Sequence, residues 1–239
     1  MCGRYASTRN AMDIAATFGI RDDAVGEDVE ADYNVAPTKP VYAVVERAPR
    51  EDKAAAPVRQ LRVAKWGLVP SWAKDPSIGS RLINARVETV DSKPAFKKAF
   101  ATRRCLLPAD GYYEWYGEKG HKQPFFIHPK DGGLLAMAGL YEFWKAPHDE
   151  WLFTVTVLTT TAEDAVGHIH DRMPMLVEPD RWATWLAPSA DAGRDLRELL
   201  VPAAPGLLDA RPVSTLVNNV ANNGPELLEP VEPEGDLLS

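Results

Sequence analysis

Arg104-Cys105-Leu106-Leu107-Pro108-Ala109-Asp110-Gly111-Tyr112-Tyr113-Glu114-Trp115-Tyr116 is the stretch on which the fold turns. It spans most of two runs, 103–107 and 111–116, rich in the apolar and aromatic side chains that suit a pleated, half-buried surface. A Pro-Ala-Asp-Gly punctuation separates them. Similar runs follow at close spacing, at 124–128, 134–141 and 151–159. Upstream, Val41–Val45 and Leu61–Val69 read the same way. Helical signals are short and lie at the edges. Ser7-Thr8 precedes a segment with Met12, Ala15, Ala16 and Phe18 on one face and Gly19 at its end. Ser92 precedes another with Phe96 and Phe100, a third is expected between Thr161 and Gly167, and two more near 179–186 and 191–200. This pattern predicts one α+β domain: a many-stranded, antiparallel or mixed, partly barrel-like sheet with peripheral helices. The expected boundaries are a domain over 1–205 and a C-terminal extension over 206–239, Pro- and Glu-rich and disordered from about Asn222.

The 239 residues include 45% hydrophobic and 26% charged side chains, ordinary for a soluble globular chain. No run of 18 apolar residues and no basic-then-apolar leader is present, which predicts a cytoplasmic protein with no membrane partner. The net charge of −7 excludes a globally basic nucleic-acid binder, yet five acidic residues lie beyond Pro225 and the remainder is near about −2. A local basic groove is compatible with that balance. The two cysteines, Cys2 and Cys105, form no Cys-x-x-Cys, so no structural zinc is expected.

Cys2 is the most reactive position in the chain. Initiator methionine is normally removed before a small residue, and Cys2 would then carry a free α-amine beside its thiol. The two titrate near ~8 and ~8.5, so both are usable nucleophiles near neutral pH. Such a 1,2-aminothiol can attack a carbonyl as a one-residue nucleophile, or condense with an aldehyde, amine first, and close to a thiazolidine.

Other polar residues interrupt apolar stretches. Asn84 and Arg86 lie two apart and share a face of an extended segment. Glu114 shares one face with Tyr112 and Tyr116, while Tyr113 and Trp115 take the other, a setting that desolvates a carboxylate and raises its pKa. His170, in His168-Ile169-His170-Asp171-Arg172, suits a proton carrier oriented by Asp171; a metal pair with His168 lacks a third ligand of suggestive spacing. Trp72 lies in a Pro-Ser-Trp-Ala-Lys-Asp-Pro loop, where it can stack on a base, while Trp66, Trp115 and Trp144 read as core. Arg4, Arg81, Arg86 and Arg172 are candidate phosphate partners.

Taken together, these motifs resemble the SOS response-associated peptidase (SRAP) family of abasic-site processing proteins. The matching elements are Met1–Tyr5, Tyr33–Pro37, Trp66–Pro70, Asn84–Thr89, Arg104–Trp115, Gln123–Phe126 and Ile169–Pro174, seven in the family's order. The resemblance implies a SRAP fold without cofactor or metal, and loss of Met1 by self-processing, hence the peptidase label. It implies that Cys2 captures the ring-opened aldehyde of an abasic site in single-stranded DNA as a thiazolidine DNA–protein crosslink. It places catalytic roles on Cys2, Asn84, Glu114 and His170, and, less specifically, DNA contacts on Arg4, Arg86, Arg172, Trp72 and Pro37. A monomer associated with the nucleoid during repair is expected. Two other readings start from the same residues: an N-terminal-nucleophile glutamine amidotransferase, and a single-stranded nucleic-acid reader with an inert Cys2.

Overall fold

A computed structural model describes residues 2–48, 54–118, 120–147, 150–162, 166–188 and 195–232. Among them are strands β1 (Tyr5–Ser7), β2 (Asp32–Val35), β3 (Pro40–Arg47), β4 (Val58–Trp66), β5 (Asn84–Arg86), β6 (Arg104–Ala109), β7 (Gly111–Tyr116), β8 (Gln123–Pro129), β9 (Leu135–Lys145), β10 (Trp151–Thr161), β11 (Arg172–Pro174) and β12 (Leu208–Pro212). The α-helices are α1 (Ala11–Phe18), α2 (Lys97–Thr102) and α3 (Trp182–Leu186).

The barrel-like expectation is borne out in a specific form. β3 pairs with β4, β4 with β10, β10 with β9, β9 with β6, and β6 returns to β3. The ring closes, and only the β4–β10 contact in it is parallel. β5 and β11 extend the far half of β10. A second sheet runs β12-β8-β7-β1-β2. The opening stretch therefore holds a corner: β6 belongs to the ring, β7 to the second sheet, with one residue, Asp110, between them. Asp110 anchors that corner by accepting from the Thr8 amide at 2.6 Å and pairing with Arg9 at 3.4 Å.

Period-two alternation sorts the core. Val44, Leu106, Ala138 and Leu140 face the helices together with Ile14, Phe18, Phe100 and Trp185, so they form the outer layer of the ring. Val41, Ala43, Val45, Trp66, Cys105, Leu107, Met137 and Val155 point the other way and meet Tyr5, Tyr112, Phe125 and Ile127 of the second sheet. Cys2 is fully buried in this inner cluster.

Several local expectations shift. Asn10, not Ser7-Thr8, caps α1 by accepting from the Asp13 amide, and Gly19 closes it in the left-handed region at φ 64°. Starting at Ala11 sets the apolar stripe at 11, 14, 15 and 18, which leaves Met12 50% exposed. Phe96 and Phe100 are buried as expected, though Phe96 itself precedes the first turn of α2. Of the helices expected at 161–167 and 191–200, residues 163–165 and 189–194 lie outside the described residues; 196–199 form a single tight turn.

The boundary expected at 205 does not coincide with the packing. β12 joins the second sheet along β8, and Val213, Val217 and Leu227, all fully buried, pack on Ala6, Tyr113 and Phe126. Nor does order stop at Asn222: Val213 bridges to Pro230, and the Val231 amide bonds Pro212 O at 3.0 Å. Residues 233–239, the last of the acidic tail, lie outside the described residues. The missed signal is Leu216, Val217, Leu227 and Leu228, whose spacing around Pro and Asn matches neither helix nor strand period.

One side chain ties this strap down. Asn34 Nδ2 donates to the carbonyls of Val217, Asn219 and Asn222 at 3.2, 3.0 and 3.0 Å. Its Oδ1 accepts from Arg4 Nη1 at 2.7 Å, and the same nitrogen donates to Val217 O at 2.8 Å. Asn34 is fully buried, so truncating it strands several polar groups at once. Asn34→Ala is expected to cost about 3 kcal/mol or more, at the high end for single substitutions. Urea unfolding measures it; a change within about 0.5 kcal/mol, typical of a surface site, would show that the strap does not depend on this residue.

Candidate active site

Four elements bring the sequence-predicted catalytic residues to one end of the inner cluster. β1 runs antiparallel to β7 with Tyr5 opposite Tyr112 and Ala6 opposite Gly111, and the Tyr113 amide donates to Arg4 O at 2.9 Å. Continuing that register sets Gly3 opposite Glu114, so Cys2 lies along the carboxylate-bearing end of β7. β5 pairs parallel to β10 with Asn84 at the level of Val157. From there Asn84 Nδ2 donates to the Cys2 carbonyl at 2.7 Å. Asn84 Oδ1 is buried and accepts no hydrogen bond from a described residue. His170 ends the turn that leads into β11, which pairs with the end of β10.

The chain reaches Asn84 through a pinched excursion from β4. Trp66 Nε1 donates to Ile83 O at 2.9 Å, and the Leu68 amide to Leu82 O at 3.1 Å. Gly67 takes φ 126°, a conformation that side chains resist. A Cβ there would lie 2.6 Å from Gly79 O, so the two backbones touch where a side chain cannot fit. Trp72 sits toward the tip of this excursion and is 60% exposed, as the loop composition suggested.

Burial dominates the electrostatics. Glu114 is 3% exposed, and desolvation raises its carboxyl to about 7, with Asp171 adding to the rise and Lys122 opposing it. Burial, then the charge of Glu114, holds the Cys2 thiol far above its usual range. The thiol is protonated at neutral pH. Burial lowers the His170 pKa, which keeps the ring neutral. The Arg172 amide donates to His170 Nδ1 at 2.9 Å, which puts the ring proton on Nε2. Asp171 Oδ1 lies 2.9 Å from the same nitrogen. Nδ1 cannot accept from the amide and donate to the carboxylate together; the amide contact fits a ring protonated at Nε2 alone, the Asp171 contact a ring protonated at Nδ1, as the imidazolium is. His168, expected as a possible partner, is exposed and meets Tyr116 edge-on at 6.3 Å. Among the described residues no group of three or more His, Cys, Asp or Glu gathers around a metal-sized space.

The expected phosphate partners divide. Arg4 spends Nη1 on Asn34 and Val217 and lies over the Trp115 ring at 5.8 Å. Arg172 grips Glu88 with both ends of its fork, at 2.6 and 3.1 Å, and donates to Thr159 O at 2.6 Å. Arg86, on β5 two residues from Asn84, is exposed and donates no hydrogen bond to a described residue. Arg81 ends the turn before β5 and is also exposed. Pro37 is half-buried in the turn before β3. Sequence reasoning missed Lys122, an exposed cation whose charge reaches both Glu114 and His170. It precedes the Gln123–Phe126 motif, so proximity to a matched motif was the available signal. Among the described residues no helix is long and apolar enough to cross a membrane.

The family model described as "SOS response associated peptidase (SRAP)" matches residues 1–220. The chain is 37% identical over 230 residues to abasic site processing protein YoqW of Bacillus subtilis (strain 168), covering 96% of this chain and 99% of that one. It is 34% identical over 248 residues to abasic site processing protein YedK of Escherichia coli (strain K12), covering 97% and 100%. A crystal structure of a Bacteroides thetaiotaomicron protein superposes with a TM-score of 0.79 at 23% identity, over 97% of this chain and all of that one, and so shares the fold. A buried Cys2 held by Asn84, beside a carboxyl raised by burial, thus sits in a chain that belongs to the SOS response associated peptidase family.

Proposed function

We propose that this protein processes abasic sites in single-stranded DNA by covalent capture on Cys2, after hydrolysis of the Met1–Cys2 peptide bond frees the α-amine. The reading rests on the function for which the relatives are named, abasic site processing, and on the residues around Cys2. One observation carries it: Asn84 holds the Cys2 carbonyl through Nδ2 while its buried Oδ1 keeps an unused acceptor beside the same residue. A free amine at residue 2 would supply the missing donor.

The order of steps follows from the acidities. The thiol is protonated and buried, so the amine attacks first. An abasic deoxyribose exists mainly as a closed hemiacetal. His170, protonated in the form that contacts Asp171, gives its proton to O4′ as the C1′–O4′ bond breaks, while the C1′ hydroxyl proton passes to solvent; the aldehyde is released and the ring is left neutral. The amine adds to C1′ to give a carbinolamine; Glu114, with its carboxyl near 7, accepts a proton from the attacking nitrogen and returns one to the departing hydroxyl. Water leaves and an imine remains. The Cys2 sulfur then adds to the imine carbon while its proton passes to the imine nitrogen, and the five-membered thiazolidine closes. Atoms balance with one water lost per adduct and no redox step. Arg86, and Arg172 once exchanged from Glu88, would hold flanking phosphates, with Trp72 stacking on a neighbouring base.

Intact mass spectrometry tests both halves. Purified protein is expected to lack the mass of one methionine and, after incubation with an abasic oligonucleotide, to gain the oligonucleotide mass minus one water. Full adduct yield from chains that retain Met1, or ammonia release from glutamine without any adduct, would overturn the proposal.

A further inference from the structure

Strand β10 serves as a ruler along the barrel. At Val157–Thr159 it carries β5 with Asn84 and Arg86. At Val155 and Thr154 it holds the start of the Trp72 excursion, through Gly67 N to Val155 O at 2.8 Å and Val69 N to Thr154 Oγ1 at 3.0 Å. At Leu152 it faces Trp144, whose Nε1 donates to Ala73 O at 2.7 Å, directly after Trp72. One step further, at Trp151, lies the open end of the ring, about 20 Å from the Asn84 level at the usual rise per residue.

Among the described residues, the strands at that mouth carry aromatic rings and arginines, with Glu150 exposed beside Trp151. Phe143 and Phe153 stack with centroids 4.9 Å apart, and Tyr141 meets both edge-on at 5.8 and 5.5 Å. Arg47 lies 4.9 Å over Phe143 and Arg62 lies 5.8 Å over Phe153. Trp151, at the rim, is 64% exposed. The carboxylates on these strands are engaged elsewhere: Glu46 pairs with Arg59 and Glu142 with Arg103. Arg47 and Arg62 form no ion pair or hydrogen bond with a described residue and lie over ring faces. A guanidinium placed over a ring face without a carboxylate partner keeps N–H donors for a phosphate, which arginine can take in a fork.

We infer that the barrel mouth is a second docking patch for single-stranded nucleic acid, in which Arg47 and Arg62 hold backbone phosphates and Trp151 stacks on a base. The strand would run from Cys2 past Trp72 to this end. Continuity along β10 and the two arginines at the mouth, in a chain of net charge −7, favour that occupant over an acidic peptide. The inference rests on the proposed reading of the Cys2 site and extends its footprint.

The test uses the full chain and its R47E/R62E and W151A variants, with oligonucleotides of about five and about twenty nucleotides, lengths that fit one subsite or span several. Crosslinking is followed on abasic versions and affinity on undamaged ones. For the longer strand, R47E/R62E is expected to bind about tenfold more weakly and to lose about 1.4 from the salt slope, two single-strand phosphate contacts. W151A weakens long-strand binding with the slope unchanged. Crosslinking to the short strand keeps its rate in both, and the thermal midpoints match the parent. A folded R47E/R62E protein with parental long-strand affinity and slope overturns the inference, as does equal loss on both lengths. Displacement of the long strand from the parent by polyglutamate as readily as by unlabelled DNA also overturns it, in favour of an acidic-peptide site. Should no abasic strand crosslink to the parent, the Cys2 reading fails, while the undamaged-strand titration still decides the patch.

Discussion

Cys2→Ala is expected to abolish the denaturation-resistant adduct with abasic DNA while leaving salt-sensitive binding in place. The substitution removes one sulfur from a fully buried site, a small cavity costing about 1 kcal/mol, so the chain folds. Intact mass spectrometry of the C2A protein selects chains that have lost Met1. The variant therefore still presents an α-amine beside Asn84 Oδ1 and Glu114, and can form the imine without closing the ring. Two gels separate the steps. Without reductant, C2A shows no adduct after heating in detergent. With borohydride present during the reaction, an amine-linked adduct appears, because reduction traps the imine. If C2A forms a stable adduct at parental yield without reductant, the thiol has no part in the product. If borohydride traps nothing while binding persists, the amine-first order is wrong.

Much of this site is legible in the sequence. The alternation Tyr112/Glu114/Tyr116 against Tyr113/Trp115 determines which side of β7 bears the carboxylate, because strand period is rigid and one face had to be buried. Tyr112 and Tyr116 do join the inner cluster, and Tyr113 and Trp115 the strap side. The exposure of Trp72 follows from the polar, Pro-bounded loop around it. Asn84 and Arg86 do share an extended segment.

What remained hidden was long-range. Nothing local to Arg4 distinguishes a phosphate clamp from a residue held by Asn34 and Val217, 213 positions away in the second case. Arg172 likewise reads as a free cation until Glu88, 84 residues earlier, is brought beside it by β5 and β11 on the same strand. The ring itself closes through β6 meeting both β9 and β3, and its parallel β4–β10 contact joins residues about ninety apart. Periodicity reports which face a residue takes; it does not report which strand lies next door. The strap after 205 was missed for a related reason, since its buried residues sit in turns and carry no period.

Glu114→Gln tests the proton-transfer half of the mechanism and has a stability signature of its own. General acid–base groups typically contribute about 10²–10⁴ in rate, so E114Q is expected to form adduct at least about 100-fold more slowly near neutral pH. Parental rate should rise with pH through about 7, where the carboxyl ionises and can accept a proton from the amine. That inflection should vanish in E114Q. The sign of the stability effect runs opposite. Burial raises the folded-state pKa from the ordinary 4.5 to about 7, so the native state favours the protonated acid. The parent is most stable below its unfolded-state pKa. It loses up to about 3 kcal/mol as pH climbs from there through about 7, since a tenfold change in a carboxyl's acidity on folding corresponds to about 1.4 kcal/mol. A neutral glutamine of similar shape carries no such penalty. The E114Q protein should accordingly be the more stable of the two at pH 8 and comparable at pH 4, while forming adduct more slowly throughout. Denaturant titrations at the two pH values, beside single-turnover crosslinking rates, measure both. A variant that is slower but shows the parental pH dependence of stability would move the titrating group away from Glu114. A variant with a parental rate would remove this carboxylate from the chemistry altogether, leaving His170 as the remaining proton carrier among the residues gathered at Cys2.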